Sequence, residues 1–285
     1  MEFPQYLSSV DSGATVPTGG APRSGDTGRA QLASGLVSLK TSDTLTPQTV
    51  EIDSEKARHT RLKRSILVAA KLFEHSFRGG FRMRPAMLTL TYRDVDGFAP
   101  RHVSELLKRI RQWLARRGKG FHYVWVAELQ LRGALHYHVI IWLPKGLTLP
   151  KPDKQGWWPH GSTRIEWARH PVGYLIKYAS KFDVKGGLPK GARLHGSGGF
   201  DEISKQIRRW FNLPTWLKCL AGVSSRFMRI KGVGLVAADT GVCVQSPWRV
   251  SCHGGRVFAT KVFEYVGGLN DVVGPYTLIG SPHLL

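Results

Sequence analysis

The chain has 285 residues, enough to bury a hydrophobic core, and it carries 41 Lys and Arg against 20 Asp and Glu, a net charge of +21. An excess of this size predicts a polyanionic partner, nucleic acid above all. No apolar stretch reaches the roughly 18 residues of a membrane-spanning helix, and no basic region followed by an apolar run opens the chain. We therefore expect a soluble protein that is not exported and has no membrane partner.

The positive charge is distributed unevenly along the chain. Residues 1–60 hold seven acidic and five basic residues, a net charge of −2, so residues 61–285 carry +23. The part that is expected to fold is therefore the basic part. Cys219, Cys243 and Cys252 are odd in number and form no CxxC motif, which argues against a disulfide framework and against a four-cysteine zinc site.

Composition divides the chain into three predicted parts. Residues 1–50 are dominated by Ser, Thr, Gly, Ala and Pro without a sustained period, and we expect a disordered tail. Residues 51–217 contain the longer helix and strand patterns and are expected to form the main domain. Residues 218–285 consist of short apolar runs between Gly and Pro, which predicts a small β-rich extension.

The apolar patterns of residues 51–217 predict a mixture of helices and strands. Their expected positions, in chain order, are a helix at 51–75, a strand at 87–92, a helix between Pro100 and Gly118, a hairpin at 122–143, a strand at 162–168 and a helix that begins near Pro171. This order predicts an α+β domain in which a central antiparallel sheet has helices packed on one face.

Three potential metal ligands lie on the predicted hairpin. The apolar runs on either side of residues 131–133 are rich in β-branched and aromatic residues, and the loop between them ends in Gly, as a left-handed last position requires. With this three-residue loop, Glu128 lies opposite His136, and His138 follows on the same face. A two-residue loop would instead place Glu128 opposite Tyr137 and on the other face.

Other interpretations of this constellation stay open on the sequence alone. One histidine can be a buried core residue with its hydrogen bonds satisfied, and Glu128 a solvated strand residue. As ligands, the three residues also suit a zinc site or a two-histidine, one-carboxylate iron site.

A second constellation lies on the helix that begins near Pro171. Tyr174 and Tyr178 are four residues apart and share one helix face, and Lys177 and Lys181 share an adjoining strip. An amphipathic helix with half-buried tyrosines fits the same pattern. Next to a metal site in a basic protein, however, the pattern favours tyrosine attack on a phosphodiester, because cations stabilise a phenolate whose ordinary pKa is about 10.

Three segments resemble a known family when they are taken in order. The runs MLTLTY, ELQLRGALHYHVIIWL and YLIKYASK are similar to the three motifs of the HUH rolling-circle replication initiators. The paired tyrosines resemble the two-tyrosine branch, and the downstream runs LPKGARLHGSGG and RRWFNLPTWL are similar to initiators of filamentous phages. The motifs cover residues 85–182, and the weaker pattern extends to about residue 217.

This resemblance implies the ferredoxin/RRM-like HUH endonuclease fold and assigns roles to residues of both constellations. His136 and His138 are the implied metal-binding pair and Glu128 the third ligand, with Mg²⁺ or Mn²⁺ as the metal. Tyr174 is the implied first nucleophile, Tyr178 the alternate, and Lys177 the cation at the phosphate.

The resemblance also implies a substrate and partners. Members of the family nick one strand of single-stranded or supercoiled origin DNA and keep its 5′ end on tyrosine. We expect DNA contacts from basic residues near the two motifs, namely Arg132, Lys181, Lys185, Lys190 and Arg193. The chain has no GxxxxGK[ST] motif, so strand separation and synthesis would need a host helicase and polymerase in the cytoplasm of a bacterial cell.

Alternatives within and outside the superfamily remain. Relaxases usually place the tyrosine before the histidines, and related transposases typically have one catalytic tyrosine. A DNA-binding protein without catalytic activity would carry the same positive charge. Its affinity for DNA would depend steeply on salt, but it would form no covalent adduct with DNA.

Overall fold

The computed structural model describes residues 38–40, 48–77, 83–180, 189–218 and 220–266. Its helices are α1 Ser54–Ser76, α2 His102–Ala115, α3 Pro171–Ser180, α4 Glu202–Phe211 and α5 Thr215–Lys218. Its strands before α4 are β1 Ser38–Lys40, β2 Thr49–Ile52, β3 Met83–Tyr92, β4 His122–Leu129, β5 Leu135–Pro144, β6 Gly161–Trp167 and β7 His195–Gly198. The later strands are β8 Phe227–Ile230, β9 Gly234–Ala237, β10 Cys243–Val244, β11 Trp248–His253, β12 Arg256–Lys261 and β13 Glu264–Val266.

The centre of the fold is a five-stranded antiparallel sheet in the order β6-β3-β5-β4-β7. Strand β5 is the middle strand, and its residues 137–143 are all buried. An apolar run that is covered on both faces belongs at the centre of a sheet, whereas the more polar β6 lies at an edge. The predicted α+β fold with a central antiparallel sheet is confirmed.

Helices α1 and α3 pack together on the side of the sheet that carries the even-numbered residues of β5. Phe73 of α1 contacts Trp142 with a ring-centroid distance of 4.9 Å, and Leu175 of α3 is fully buried. Helix α2 meets the odd-numbered side, where His102 contacts Tyr92 of β3. Helix α3, which carries Tyr174 and Tyr178, therefore packs on the same face of the sheet as His136 and His138 of β5.

Helix α1 begins where its capping residue predicts. The Asp53 carboxylate accepts a hydrogen bond from the backbone N–H of Lys56 at 2.9 Å, and this satisfies one of the free donors of the first turn. The predicted helix at 51–75 is thus confirmed, although it starts three residues later, because residues 49–52 pair with β12 as strand β2.

Two glycines, Gly196 and Gly198, allow residues 195–198 to form the edge strand β7. Residues 182–199 are rich in Gly, a composition typical of a loop, but residues 195–198 pair with β4, and residues 181–188 lie outside the described part of the chain. The rings of Trp125 and Tyr123 lie over Gly196 and Gly198, respectively. A Cβ at Gly196 would come within 2.5 Å of Nε1 of Trp125, so only glycine fits at that position.

The C-terminal residues form additional sheets, as their composition predicts. One contains β10-β9-β8, one contains β11-β12-β2, and β1 pairs with β13. Strands that precede the main domain in sequence therefore pair with strands that follow it. The rest of the predicted disordered tail, residues 1–37 and 41–47, lies outside the described residues.

Two further sequence expectations concern cysteines and membranes. Cys243 and Cys252 are free and exposed. No helix within the described ranges combines the length and the hydropathy that crossing a bilayer requires.

Candidate metal centre and tyrosine helix

The hairpin has the predicted three-residue loop. The N–H of Gln130 donates to the carbonyl of Ala134 at 2.9 Å, and the N–H of Gly133 donates back to Gln130 at 2.8 Å. Gly133 has a φ of +86°, the left-handed conformation expected at the end of such a loop. Glu128 lies directly opposite His136, so the predicted register is confirmed.

This register brings the three potential ligands together. Glu128, His136 and His138 each offer a donor atom, and the three atoms lie within 4.8 Å of one another. Oε2 of Glu128 is 2.9 Å from Nε2 of His138. Neighbouring ligands of an octahedral ion with bond lengths near 2.1 Å are separated by about 3 Å, so this pair already has the spacing of two adjacent ligands.

The donor chemistry fits a divalent ion. One carboxylate and two imidazoles suit Mn²⁺, Fe²⁺ and Zn²⁺, and Mg²⁺ accepts the carboxylate readily. His138 is only 4% exposed, while His136 and Glu128 are half-buried, which leaves the site open on one side. The structure therefore supports a candidate metal site whose ion is not identified by the ligands alone.

Neighbouring polar groups orient His136. Its Nδ1 is 2.8 Å from Nε2 of Gln130, and its Nε2 is 3.4 Å from Oγ1 of Thr91. Sequence reasoning singled out neither neighbour. A signal was present for Gln130, because a residue two positions after Glu128 lies on the same face of the strand.

Arg132 connects this site to the adjacent strand. Its Nε donates to Oε1 of Gln130 at 3.0 Å, and its two terminal nitrogens donate to the carbonyls of Tyr92 and Arg93. The guanidinium thus holds the hairpin loop against the end of β3 and fixes the Gln130 side chain. DNA contact by Arg132 remains a prediction, and the hydrogen bonds give this exposed residue a role within the protein.

Helix α3 places one tyrosine against the metal site. The ring of Tyr178 stacks on His138 with a centroid distance of 3.4 Å and an interplanar angle of 11°. Buried Leu175 and Ala179 anchor the helix to the core and hold this face toward the sheet. Tyr174 lies one turn earlier and is 37% exposed, and Lys177 is exposed beside it.

Two other tyrosines are excluded as nucleophiles by their positions. Tyr92 and Tyr137 are 1% and 2% exposed and lie on the α2 side of the sheet. Burial raises the pKa of each phenol well above its ordinary value, which disfavours the phenolate.

The remaining predicted DNA contacts are spread over the molecule. Lys181 and Lys185 lie outside the described residues, and Lys190 is exposed. Arg193 donates to Oγ of Ser104 at 3.0 Å and lines a cleft of about 280 Å³ on the α2 side, together with Lys108 and Arg111. The structure therefore does not bring Arg193 to the face that carries the metal site.

The fold and the site define a class: an α+β domain with a Glu-His-His cluster on its central sheet and a tyrosine helix beside it. Residues 85–183 match the model of a family described as Replication-associated protein ORF2. The match runs from β3 through α3, so it includes both constellations, and it supports the replication initiator family. Neither the curated proteins nor the solved structures gave a significant match.

Proposed function

We propose that this protein initiates rolling-circle DNA replication by nicking one strand at the origin through a tyrosine–DNA intermediate, and that it later rejoins the ends. The observation that carries the proposal is the stacking of Tyr178 on His138 at 3.4 Å, because it puts a phenol beside a candidate metal site. The family match over the same residues supports a role in replication.

The reaction is a transesterification at phosphorus. The phenolic oxygen loses its proton and attacks the scissile phosphate, a P–O bond to tyrosine forms, and the P–O3′ bond breaks. The 3′ oxygen leaves and is protonated to a hydroxyl, while the 5′ phosphate stays on the tyrosine. The bond energy is retained in the phosphotyrosine, so a free 3′-hydroxyl can attack it and restore a DNA strand.

Glu128, His136 and His138 would hold the metal, with Mg²⁺ or Mn²⁺ as the proposed ion. When bound, the ion supplies charge neutralisation at the scissile phosphate. The imidazole ligands favour Mn²⁺ in intrinsic affinity. The protein contributes the orientation: the hairpin register sets the ligands, and the packing of α3 sets the tyrosines.

Two tyrosines allow two consecutive transfers. We assign the first attack to Tyr174, which is exposed to an incoming strand, and the second to Tyr178, one helical turn or about 6 Å along the axis. One residue can then hold the old end while the other takes the new one. Lys177, exposed between them, is proposed to stabilise charge on the phosphate oxygens.

The proposed substrate is single-stranded or supercoiled origin DNA. A net charge of +21 favours binding to the phosphate backbone and makes affinity strongly salt-dependent. Host helicase and polymerase are the proposed partners for strand separation and synthesis.

The test is formation of a covalent adduct. The protein is incubated with Mn²⁺ and labelled single-stranded fragments of the replicon that encodes it, and the products are separated on a denaturing gel. We expect a labelled protein band that chelator abolishes. The Tyr174→Phe, Tyr178→Phe double variant should give no band.

Tyr123→Phe is the matched control, since its ring stacks on Phe121 on the α2 side of the sheet. It should retain the adduct. Persistence of the band in the double variant would refute the tyrosine assignment, and persistence in His136→Ala with chelator would refute the metal assignment. The two single variants, compared for cleavage and for rejoining, test which tyrosine acts first.

A further inference from the structure

A second basic site lies away from the metal centre, between the end of α4 and the start of β8. It is a cavity of about 330 Å³. Its polar lining consists of three arginines, an amide and a hydroxyl: Arg208, Arg209, Arg226, Asn212 and Ser225. The main domain supplies one wall and the C-terminal residues supply the other.

Arg208 is the inner cation of this cavity. Its Nε is buried and has no hydrogen-bond partner among the described residues. Its guanidinium carbon lies 5.3 Å from the centre of the Phe200 ring, and burial lowers the pKa of the group. Burying the Nε–H of a half-buried arginine without a hydrogen-bond acceptor costs free energy, and an anion in the cavity would offset that cost.

The other two arginines leave the cavity positively charged. Arg209 lies 3.5 Å from the exposed carboxylate of Glu202, a weak and solvated pair. Arg226 is exposed and forms no ion pair within the described ranges. Among the residues that the structure describes, no carboxylate lines the cavity. The positive charge of the cavity is therefore neutralised only in part, by the carboxylate of Glu202, which does not line the cavity.

We infer that this cavity binds a phosphate group of the DNA backbone, held between Arg208 and Arg226. Guanidinium groups match the oxygens of a phosphate in pairs, and the hydroxyl and amide provide further polar groups. The volume is near the lower limit for small-molecule sites, which suits one phosphate and its sugar. The choice of DNA as the source rests on the proposed function.

This assignment gives the C-terminal segment a role. Ser225 and Arg226, just before β8, line the cavity together with residues at the end of α4. The contact would position DNA without reading its sequence, since it involves the backbone alone.

Non-covalent binding tests the inference separately from nicking. Anisotropy of labelled DNA is measured with the Tyr174→Phe, Tyr178→Phe protein in chelator, over a range of salt concentrations. Losing one phosphate contact should reduce the salt slope by about 0.7 to 0.9 and the affinity about fivefold at 0.15 M salt. We expect both effects in Arg226→Gln, whatever the DNA sequence.

Arg229→Gln is the matched control, because Arg229 is exposed on β8, three residues after Arg226, and does not line the cavity. It should bind DNA with an unchanged slope. Equal losses in the two variants, or no loss in Arg226→Gln, would overturn the inference. Failure to form a covalent adduct, with this difference in binding retained, would refute the nicking proposal and leave the phosphate site standing.

Inorganic phosphate serves as the second probe. At millimolar concentration it should compete with DNA for the parent protein and raise its melting temperature, and Arg226→Gln should lose the stabilisation. If phosphate stabilises the parent protein but the parent and Arg226→Gln bind DNA equally well, the cavity is a site for a free anion. That result would overturn the assignment to DNA.

Discussion

Replacing Gln130 with Ala is expected to weaken metal binding without unfolding the hairpin. The substitution removes the group that lies 2.8 Å from Nδ1 of His136. The loop should persist, because Arg132 keeps its hydrogen bonds to the carbonyls of Tyr92 and Arg93. The imidazole of His136 would then lose the hydrogen bond that orients its ring and determines which ring nitrogen carries the proton.

The expected size follows from what such contacts contribute elsewhere. Removing a group that orients a metal-bound histidine typically weakens metal affinity about 10- to 100-fold, or about 1.4 to 2.8 kcal/mol. As placed, the amide nitrogen of Gln130 faces Nδ1 of His136 while its oxygen accepts from Arg132, so a metal bound through Nε2 would require the carboxamide to turn its oxygen toward the Nδ1 proton. Gln130→Glu keeps only the accepting mode, which suits a metal bound through Nε2, and should retain or tighten binding.

The assay is a Mn²⁺ titration followed by electron paramagnetic resonance, with adduct formation measured at each concentration. For Gln130→Ala we expect the adduct curve to shift to higher Mn²⁺ and to reach nearly the parent level at saturation. Gln112→Ala, on the exposed face of α2, is the control for loss of a glutamine.

The outcome of this titration separates positioning from folding. A general defect would lower the adduct level at every Mn²⁺ concentration and reduce the melting temperature. An unchanged Mn²⁺ curve in Gln130→Ala would refute the reasoning, since His136 would then be held without this contact.

Two further predictions concern stability. Gly196→Ala places a Cβ within 2.5 Å of Nε1 of Trp125, which is 4% exposed and cannot move aside, so we expect a loss of about 1–3 kcal/mol in urea unfolding. Gly222→Ala, with its nearest side-chain contact at 3.8 Å, should change little, and equal effects would refute the packing argument. Burial, reinforced by Arg208, lowers the pKa of His195 in the folded state, so the unfolded chain binds its proton first as pH falls. Stability should decline below about pH 6.5, and His195→Gln should flatten this part of the profile.

The local structure of the hairpin could be predicted from sequence because it depends on short-range rules. A loop of three residues that ends in Gly sets the pairing of Glu128 with His136, and the two-residue period of a strand puts His138 on the same face. The helices and strands of the main domain followed from periodicity in the same way. Their order was enough for the α+β class.

Long-range packing could not be predicted in this way. Residues 195–198 resemble a loop by composition, and only the rings of Trp125 and Tyr123 explain why glycines form an edge strand there. Likewise, no local pattern indicates that residues 49–52 pair with β12. Such pairings depend on segments that are distant in sequence.

The sequence by itself indicated the residues on which the proposed chemistry depends: two histidines, a glutamate and paired tyrosines at regular spacings in a basic chain. Tertiary structure alone decided how they meet. The packing of α1 and α3 brings the ring of Tyr178 onto His138, and Arg132 reaches back to β3 and aligns Gln130 with His136. The physical reason is that spacing fixes neighbours along one element, whereas contacts between elements depend on the shape of the whole core.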